Sequence, residues 1–331
     1  MNRRKSPIVY IGRNRNIHDQ KFVKTLSEGF EVQEIYTHDL DSAQVEVEKF
    51  SDIELIIAGP LTDAISAIPL EVEVPILGIS HAFDLNLESH EFPLFANVNR
   101  CSSIITDCRY ISNVLRDTYS FSGNVYIIPW GCDREYFSKA IITFREKPRI
   151  LVTRNWFAVY RNDVIISALE MLKLRNIDFG CTFIGTGPLL ENQIQNSNET
   201  SIYKDIHFLG HQGKAEIRDA MADNWIYVSA ASSDGTSVSL LEAMAAGMIC
   251  ITTDFPSNLE WIEHSISGFV FPNGDSQALA LLVEMVSSLS LEEKVRISRA
   301  AKETILKRGD WRDNQKAFTT AVSTMVLRNN P

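Results

Sequence analysis

In the stretch SSDGTSVSLLEAMAAGMICITTD, residues 232–254, two carboxylates, Asp234 and Glu242, stand eight positions apart around a glycine and three hydroxyl side chains. A carboxylate accepts paired hydrogen bonds from a vicinal diol, and amides at a helix start receive anionic oxygens. The loop Gly235, Thr236, Ser237, Val238, Ser239 therefore carries groups suited to hydroxyls and phosphates. A plainer reading stays open: Asp followed by Gly is also an N-cap signal, and Glu242 could be a surface helix residue. Glu242 nevertheless sits within the otherwise apolar SLLEAMAAG, where a carboxylate is half buried unless it faces a cleft.

The elements that must hold these residues follow from the pattern around them. The apolar run LLEAMAA reads as a helix closed by Gly247, and the short β-branched MICITT reads as a buried parallel strand. Similar runs recur as PIVYIG, DIELIIAG, VPILGIS, SSIITDC, VYIIP, RILVTR, CTFIG, IHFLG and WIYVSA. Between them lie helical patterns such as DQKFVKTLSEG, RYISNVLRDTYS, NDVIISALEMLKLRN and KAEIRDAMAD, an alternation that predicts parallel sheets covered by helices. The segment from Ile127 to Ile150 breaks the rhythm with Pro, Gly and charge, which places a domain boundary there. Two doubly wound units facing each other would open a cleft at the carboxyl ends of their strands, with the loops at 79–84 and 232–239 on it.

Composition bounds the function. The net charge of −10, with an acidic excess in both halves, excludes nucleic acid as an expected partner. Five scattered cysteines in mostly apolar segments predict free buried thiols in a reducing compartment, and the N-terminal apolar run is too short for a signal peptide. A cytoplasmic protein is expected, with at most peripheral contact at the inner membrane face.

Most of residues 126–325 resembles glycosyltransferase family 4, the retaining, nucleotide-sugar-dependent enzymes with the GT-B fold. VYIIPWGCDREYF is similar to the family's Ile-Pro-Asn-Gly-Val-Asp hinge segment. LVTRNWFAVYRND resembles its Gly-Arg strand end and Lys-Gly turn, with Arg154 at the arginine, Arg161 in place of the lysine, and a longer turn. CTFIGTGPLLENQI, IHFLGHQGKAEIRDAMADNWIYVSAA and SGFVFPNGDSQALALLV follow in family order. The opening stretch is then similar to the family's two glutamates separated by seven residues, with Asp234 standing for the first, one methylene shorter.

The resemblance implies an α/β, GT-B architecture with two Rossmann-like parallel-sheet domains. Residues 1–135 would bind the acceptor, residues 136–308 the nucleotide sugar, and residues 309–331 would form a helix packing back on the first domain. It implies that Glu242 bonds the ribose, that Asp234 lies beside the donor sugar, and that Arg154 and Arg161 clamp the diphosphate with no metal invoked. Preorganised cations stabilise the charge of a departing diphosphate without proton transfer. His81, in the strand-then-His segment SHAFD, would sit near the transferred sugar. Gly185 and Gly187 suggest a dinucleotide fingerprint, but Leu190 stands at its third glycine, so a βα turn beside the donor is expected. Gly210 and His211 fall near the base, and Ser257, Asn258 and Glu260 near the donor.

The first half departs from the family, whose members often carry a double-glycine loop after the first strand. Here Gly12 stands alone before Arg13 and Arg15, whose side chains could supply the positive field that backbone amides supply elsewhere; a solvated loop is the alternative. The C-terminal WRDNQKAFTTAVSTMVLRN reads as an amphipathic helix with Trp311, Phe318, Val322 and Met325 on one face. The expected activity is transfer of a sugar from a nucleoside diphosphate to a hydroxyl acceptor, glycan or lipid-linked. The alternatives are a non-catalytic nucleotide-sugar or glycan-binding subunit of the same fold, and a nucleotide-sugar epimerase or hydrolase.

Overall fold

The computed structural model describes residues 5–12, 15–36, 44, 47, 49–50, 52–81, 98–198 and 202–329. Two compact units emerge, one of Met1–Pro129 with Arg312–Pro331 and one of Trp130–Trp311. The sequence reading sets its boundaries at 135/136 and 308/309, where the contacts divide the chain at 129/130 and 311/312.

In the first unit, strands β1 (Pro7–Gly12), β2 (Glu31–Tyr36), β3 (Leu55–Ala58), β4 (Ile76–Ser80), β5 (Ser103–Thr106) and β6 (Asn124–Ile127) form one sheet in the order β2-β1-β3-β4-β5-β6, parallel throughout. The central strands LIIA, ILGIS and SIIT are rich in Ile and Leu and buried along their length, as a parallel sheet covered on both faces requires. The helix Ile17–Ser27 starts on a capping box: the Asn16 side chain accepts from the Asp19 amide at 3.0 Å, and Asp19 Oδ2 accepts from the Asn16 amide at 3.1 Å. The C-terminal helix Trp311–Asn329 packs on this unit. Phe318 stacks on Phe22 with ring centroids 5.1 Å apart, and the Ser103 hydroxyl donates to Met325 Sδ at 3.2 Å. Phe318, Val322 and Met325 are buried, as the amphipathic pattern predicts, whereas Trp311, which the pattern places on the same face, is only half buried at the helix start.

The second unit repeats the plan. Strands β7 (Arg149–Val152), β8 (Gly180–Phe183), β9 (Ile206–Phe208), β10 (Ile226–Ser229), β11 (Ile249–Thr253) and β12 (Phe269–Phe271) form a parallel sheet in the order β12-β11-β10-β7-β8-β9. The chain lays β8 and β9 on one side of β7, then returns to lay β10 on the other. Neighbouring loops after β7 and β10 consequently run in opposite directions, which opens a crevice at their carboxyl ends. Trp156, Phe183 and Trp225 fill the core on one face of this sheet, and the helix Val238–Ala246 packs through Leu240, Leu241 and Met244 into a second core cluster.

The five cysteines are all buried and free. Among the described residues no helix is long and apolar enough to cross a membrane.

Candidate functional site

The crevice at β7 and β10 is occupied by one buried cation. Arg154 lies two residues beyond β7, and its side chain crosses to the loop that follows β10. Its Nη2 donates to Asp234 Oδ2 at 2.7 Å, and its Nη1 donates to Ser237 Oγ at 2.8 Å and Ser239 Oγ at 3.2 Å. The Tyr160 ring covers the guanidinium, with its centroid 4.0 Å from Cζ. Beneath, the Tyr227 and Ser239 hydroxyls share a hydrogen bond at 2.9 Å. Burial is the largest single influence and opposes the charge on Arg154, but the Asp234 carboxylate, Tyr160 and Tyr227 together outweigh it and raise the pKa above the ordinary arginine value. Arg154 stays a cation, and its buried Nε–H has no hydrogen-bond partner in the structure.

Local sequence explains why the side chains converge. Ser237 caps the helix Val238–Ala246 by accepting from the Leu240 amide at 3.4 Å, so Asp234 and Ser239 flank a helix start. Asp234 Oδ1 accepts from the Gly235 amide at 2.9 Å, and the Asp234 carbonyl accepts from Ser257 Oγ at 2.9 Å. Across the crevice, Asn162 Nδ2 donates to the carbonyls of Arg154 and Asn155 at 3.4 and 3.2 Å. The Val159 carbonyl accepts both the Ser232 amide, at 2.8 Å, and the Ser232 hydroxyl, at 3.1 Å, which ties the turn after Arg154 to the loop that carries Asp234.

Gly185 and Gly187 brace this loop from β8. A Cβ at Gly187 would lie 2.6 Å from the Trp156 carbonyl oxygen, and one at Gly185 would lie 2.8 Å from that of Arg154. The contact is completed by the Trp156 amide donating to the Thr186 carbonyl at 2.9 Å and the Gly185 amide to the Gly210 carbonyl at 2.8 Å. The two glycines therefore allow one loop to lie against another, as a βα turn beside the site would.

The remaining candidates are distributed as follows. Gly235, Thr236 and Ser237 are buried in the site loop, Val238 and Ser239 half buried, and Glu242 is half buried on the helix they begin. Arg161 has a left-handed backbone, and its guanidinium pairs with Asp163 at 3.2 Å, sharing no hydrogen bond with Asp234. His211 is exposed beside Gly210. Asn258 bonds the Thr253 carbonyl and hydroxyl, and the Glu260 carbonyl accepts from Arg308.

The other candidates belong to the first unit. Gly12 ends β1, where a Cβ would press on Tyr36 Cε1 at 2.9 Å, and Arg15 lies exposed with Nε 3.7 Å from Glu34 Oε2. Arg13 lies outside the described residues, as do positions 82–84 of the 79–84 loop. His81, just beyond β4, is buried with its ring 5.7 Å from that of His18 and 6.4 Å from Phe22. Burial, then the nearby His18, pushes its pKa down to about 3, so the ring is neutral.

Three site residues escaped the sequence reading. Tyr227 lies inside a strand pattern, Asn162 at a helix start, and Tyr160 beside the conspicuous Arg161; only the unusual length and aromatic content of NWFAVY hinted at the last.

The family profile described as Glycosyl transferases group 1 matches residues 133–304, just over half of the chain. The chain belongs to this family. The match takes in every site residue from Arg154 to Glu242. The amylovoran biosynthesis glycosyltransferase AmsK of Erwinia amylovora is 33% identical over 131 residues, which cover 38% of this chain and 32% of that protein. The matched stretch spans less than half the length of each curated relative found.

Two solved structures share the fold across nearly the whole chain. Sucrose-phosphate synthase from Thermosynechococcus elongatus aligns with a TM-score of 0.82 at 12% identity, covering 98% of this chain and 100% of that one. Anabaena HepE in complex with UDP-glucose aligns with a TM-score of 0.75 at 14% identity, covering 96% and 99%. The two parallel six-stranded sheets are those of the GT-B glycosyltransferases.

Proposed function

We propose that the protein transfers a glycosyl residue from a nucleoside diphosphate sugar to a hydroxyl acceptor, with retention at the anomeric carbon and without a metal ion. The observation that carries this reading is Arg154, a buried cation held at a helix start in the crevice between β7 and β10. A cation and helix-start amides together suit a diphosphate, and a fixed guanidinium stabilises its growing charge as the glycosidic bond breaks. Glu242 would accept the ribose diol, and Gly235 to Ser239 would line the phosphates.

Retention follows from a front-face path. The bond from the anomeric carbon to the phosphate oxygen breaks, the acceptor oxygen bonds the same face, and its proton passes to the departing phosphate oxygen. No separate base is then needed. An acceptor in polysaccharide, glycolipid or glycoconjugate synthesis is supported by the amylovoran relative, and a uridine nucleotide donor by the HepE complex.

The test is ligand-observed binding of UDP, GDP, ADP and their sugars to the wild type, Arg154→Ala and Glu242→Ala. One nucleotide family should bind the wild type and be lost from both variants. Turnover unaffected by a chelator, with the donor's anomeric configuration kept in the product, completes the expectation. Failure of the wild type to bind any of them at millimolar concentration would overturn the reading.

A further inference from the structure

We infer that Tyr160 is a positioning residue that fixes the plane of the Arg154 guanidinium for a diphosphate; this rests on the donor-site reading above. The bonds to Asp234, Ser237 and Ser239 tie Nη1 and Nη2 at the edges of the guanidinium, and none of them restrains it across its plane. Tyr160 supplies that restraint, with its ring centroid 4.0 Å from Cζ. An aromatic face attracts a cation through its quadrupole, most strongly where water is excluded, and Arg154 is only 8% exposed.

The ring is itself held. Tyr160 closes the 3-10 turn Ala158–Tyr160, its amide donates to the Phe157 carbonyl at 3.0 Å, and the Phe157 ring meets it edge-on at 6.5 Å. The same turn is fastened through the Val159 carbonyl to Ser232 in the loop of Asp234. The chain thus places Arg154, the ring above it and the carboxylate beside it on two loops bonded to each other. A diphosphate meets a guanidinium already oriented, so little rotational freedom is lost when it binds.

The test compares Tyr160→Phe, Tyr160→Leu and Tyr160→Ala with the wild type and Arg154→Ala. The probes are inorganic pyrophosphate, whichever of UDP, GDP and ADP the wild type binds, and the matching nucleoside without phosphates. Leucine keeps apolar bulk and phenylalanine keeps the aromatic face. Expected is a roughly fivefold to thirtyfold loss of pyrophosphate and nucleotide affinity in the Leu and Ala variants, from the strength of a desolvated cation–π contact. Phe should stay within about twofold of the wild type, and nucleoside affinity should be unchanged throughout. Wild-type affinity in Tyr160→Leu, with loss in Arg154→Ala, would overturn the role of Tyr160 and leave the donor site standing. Parallel loss of nucleoside binding would mark a merely structural role and overturn it too. Wild-type protein that binds neither pyrophosphate nor any nucleotide would remove the donor site and this inference with it.

Discussion

Arg154 Nη2 and Asp234 Oδ2 lie 2.7 Å apart, joining the loops after β7 and β10 where the strand order of the second unit reverses. The carboxylate that occupies the first acidic position of the motif is thus bound to the cation of the same site, and its second oxygen to the Gly235 amide.

The pairing makes Asp234→Ala a ligand-dependent stability variant. With Asp234 gone, Arg154 keeps only neutral partners. Breaking a fully buried ion pair costs about 3–5 kcal/mol, and the solvent contact of this one brings the expectation to roughly 2–3 kcal/mol. A bound nucleoside diphosphate would replace the missing anion. Thermal unfolding of the variant should therefore start lower than the wild type and recover more of the difference on adding the nucleotide than the wild type gains. Equal ligand-induced shifts in the two proteins would show that the diphosphate does not meet Arg154.

Glu242 predicts the opposite balance. It is half buried, one turn beyond Val238, on a helix whose Leu240, Leu241, Ala243 and Met244 supply the packing. Glu242→Gln should leave unfolding within about 1 kcal/mol of the wild type, because no core volume is lost. Nucleoside diphosphate affinity should fall about tenfold or more, since an amide oxygen accepts more weakly than a carboxylate. Calorimetric titration reads the affinity, and an unchanged Kd would exclude Glu242 from the ribose.

Much of this organisation is legible in the sequence alone. Ten of the twelve strands among the described residues follow the β-branched runs, because a strand buried on both faces leaves an apolar segment that few loops imitate. The two that escaped have physical reasons. β2 is an edge strand whose Glu31 and Glu34 face water, and β12 is a three-residue edge strand held between Gly268 and Pro272, which read as a turn. The site loop was legible from Asp234, Gly235, Ser237 and Gly247, since caps and carboxylates leave marks at fixed spacing. Partnerships were not. Arg161 finds its partner Asp163 within NWFAVYRND, but nothing local there says that Tyr160 covers Arg154, because the turn that carries Tyr160 is anchored by Ser232, more than 70 residues away.

Gly187 and Gly210 should respond differently to alanine, although both have positive φ, +155° and +65°. At Gly187 the new Cβ meets Trp156 backbone atoms from 2.6 Å, and neither loop can yield without moving Arg154. Gly187→Ala should cost on the order of 3 kcal/mol and also weaken diphosphate binding. At Gly210 the Cβ meets nothing within 4 Å, so only left-handed strain remains, about 1 kcal/mol, with binding retained. Chemical denaturation and nucleotide titration of both variants check the pair, and equal losses would contradict the loop contact.

His18 and His81 give the first unit an acid sensitivity of definite sign. Burial pushes their pKa values from about 6.5 down to about 4 and about 3, with Lys21 adding to the effect at His18 and His18 adding to it at His81. Both rings are neutral in the folded protein at pH 7, and above that pH they add no pH dependence. Below about pH 6.5 the unfolded chain takes up protons that the folded rings refuse, so stability falls with pH until the folded groups titrate near 4 and 3. Each histidine should contribute a slope of about 1.4 kcal/mol per pH unit once its unfolded form is protonated. Between pH 6.5 and 5 most carboxylates are still ionised, which separates the histidines from general acid unfolding. Amide protection in β1 and β4, followed by hydrogen exchange across that window, should decline in the wild type and decline about half as steeply in His81→Asn. Identical slopes in the two proteins would mean that His81 is not the buried neutral group described.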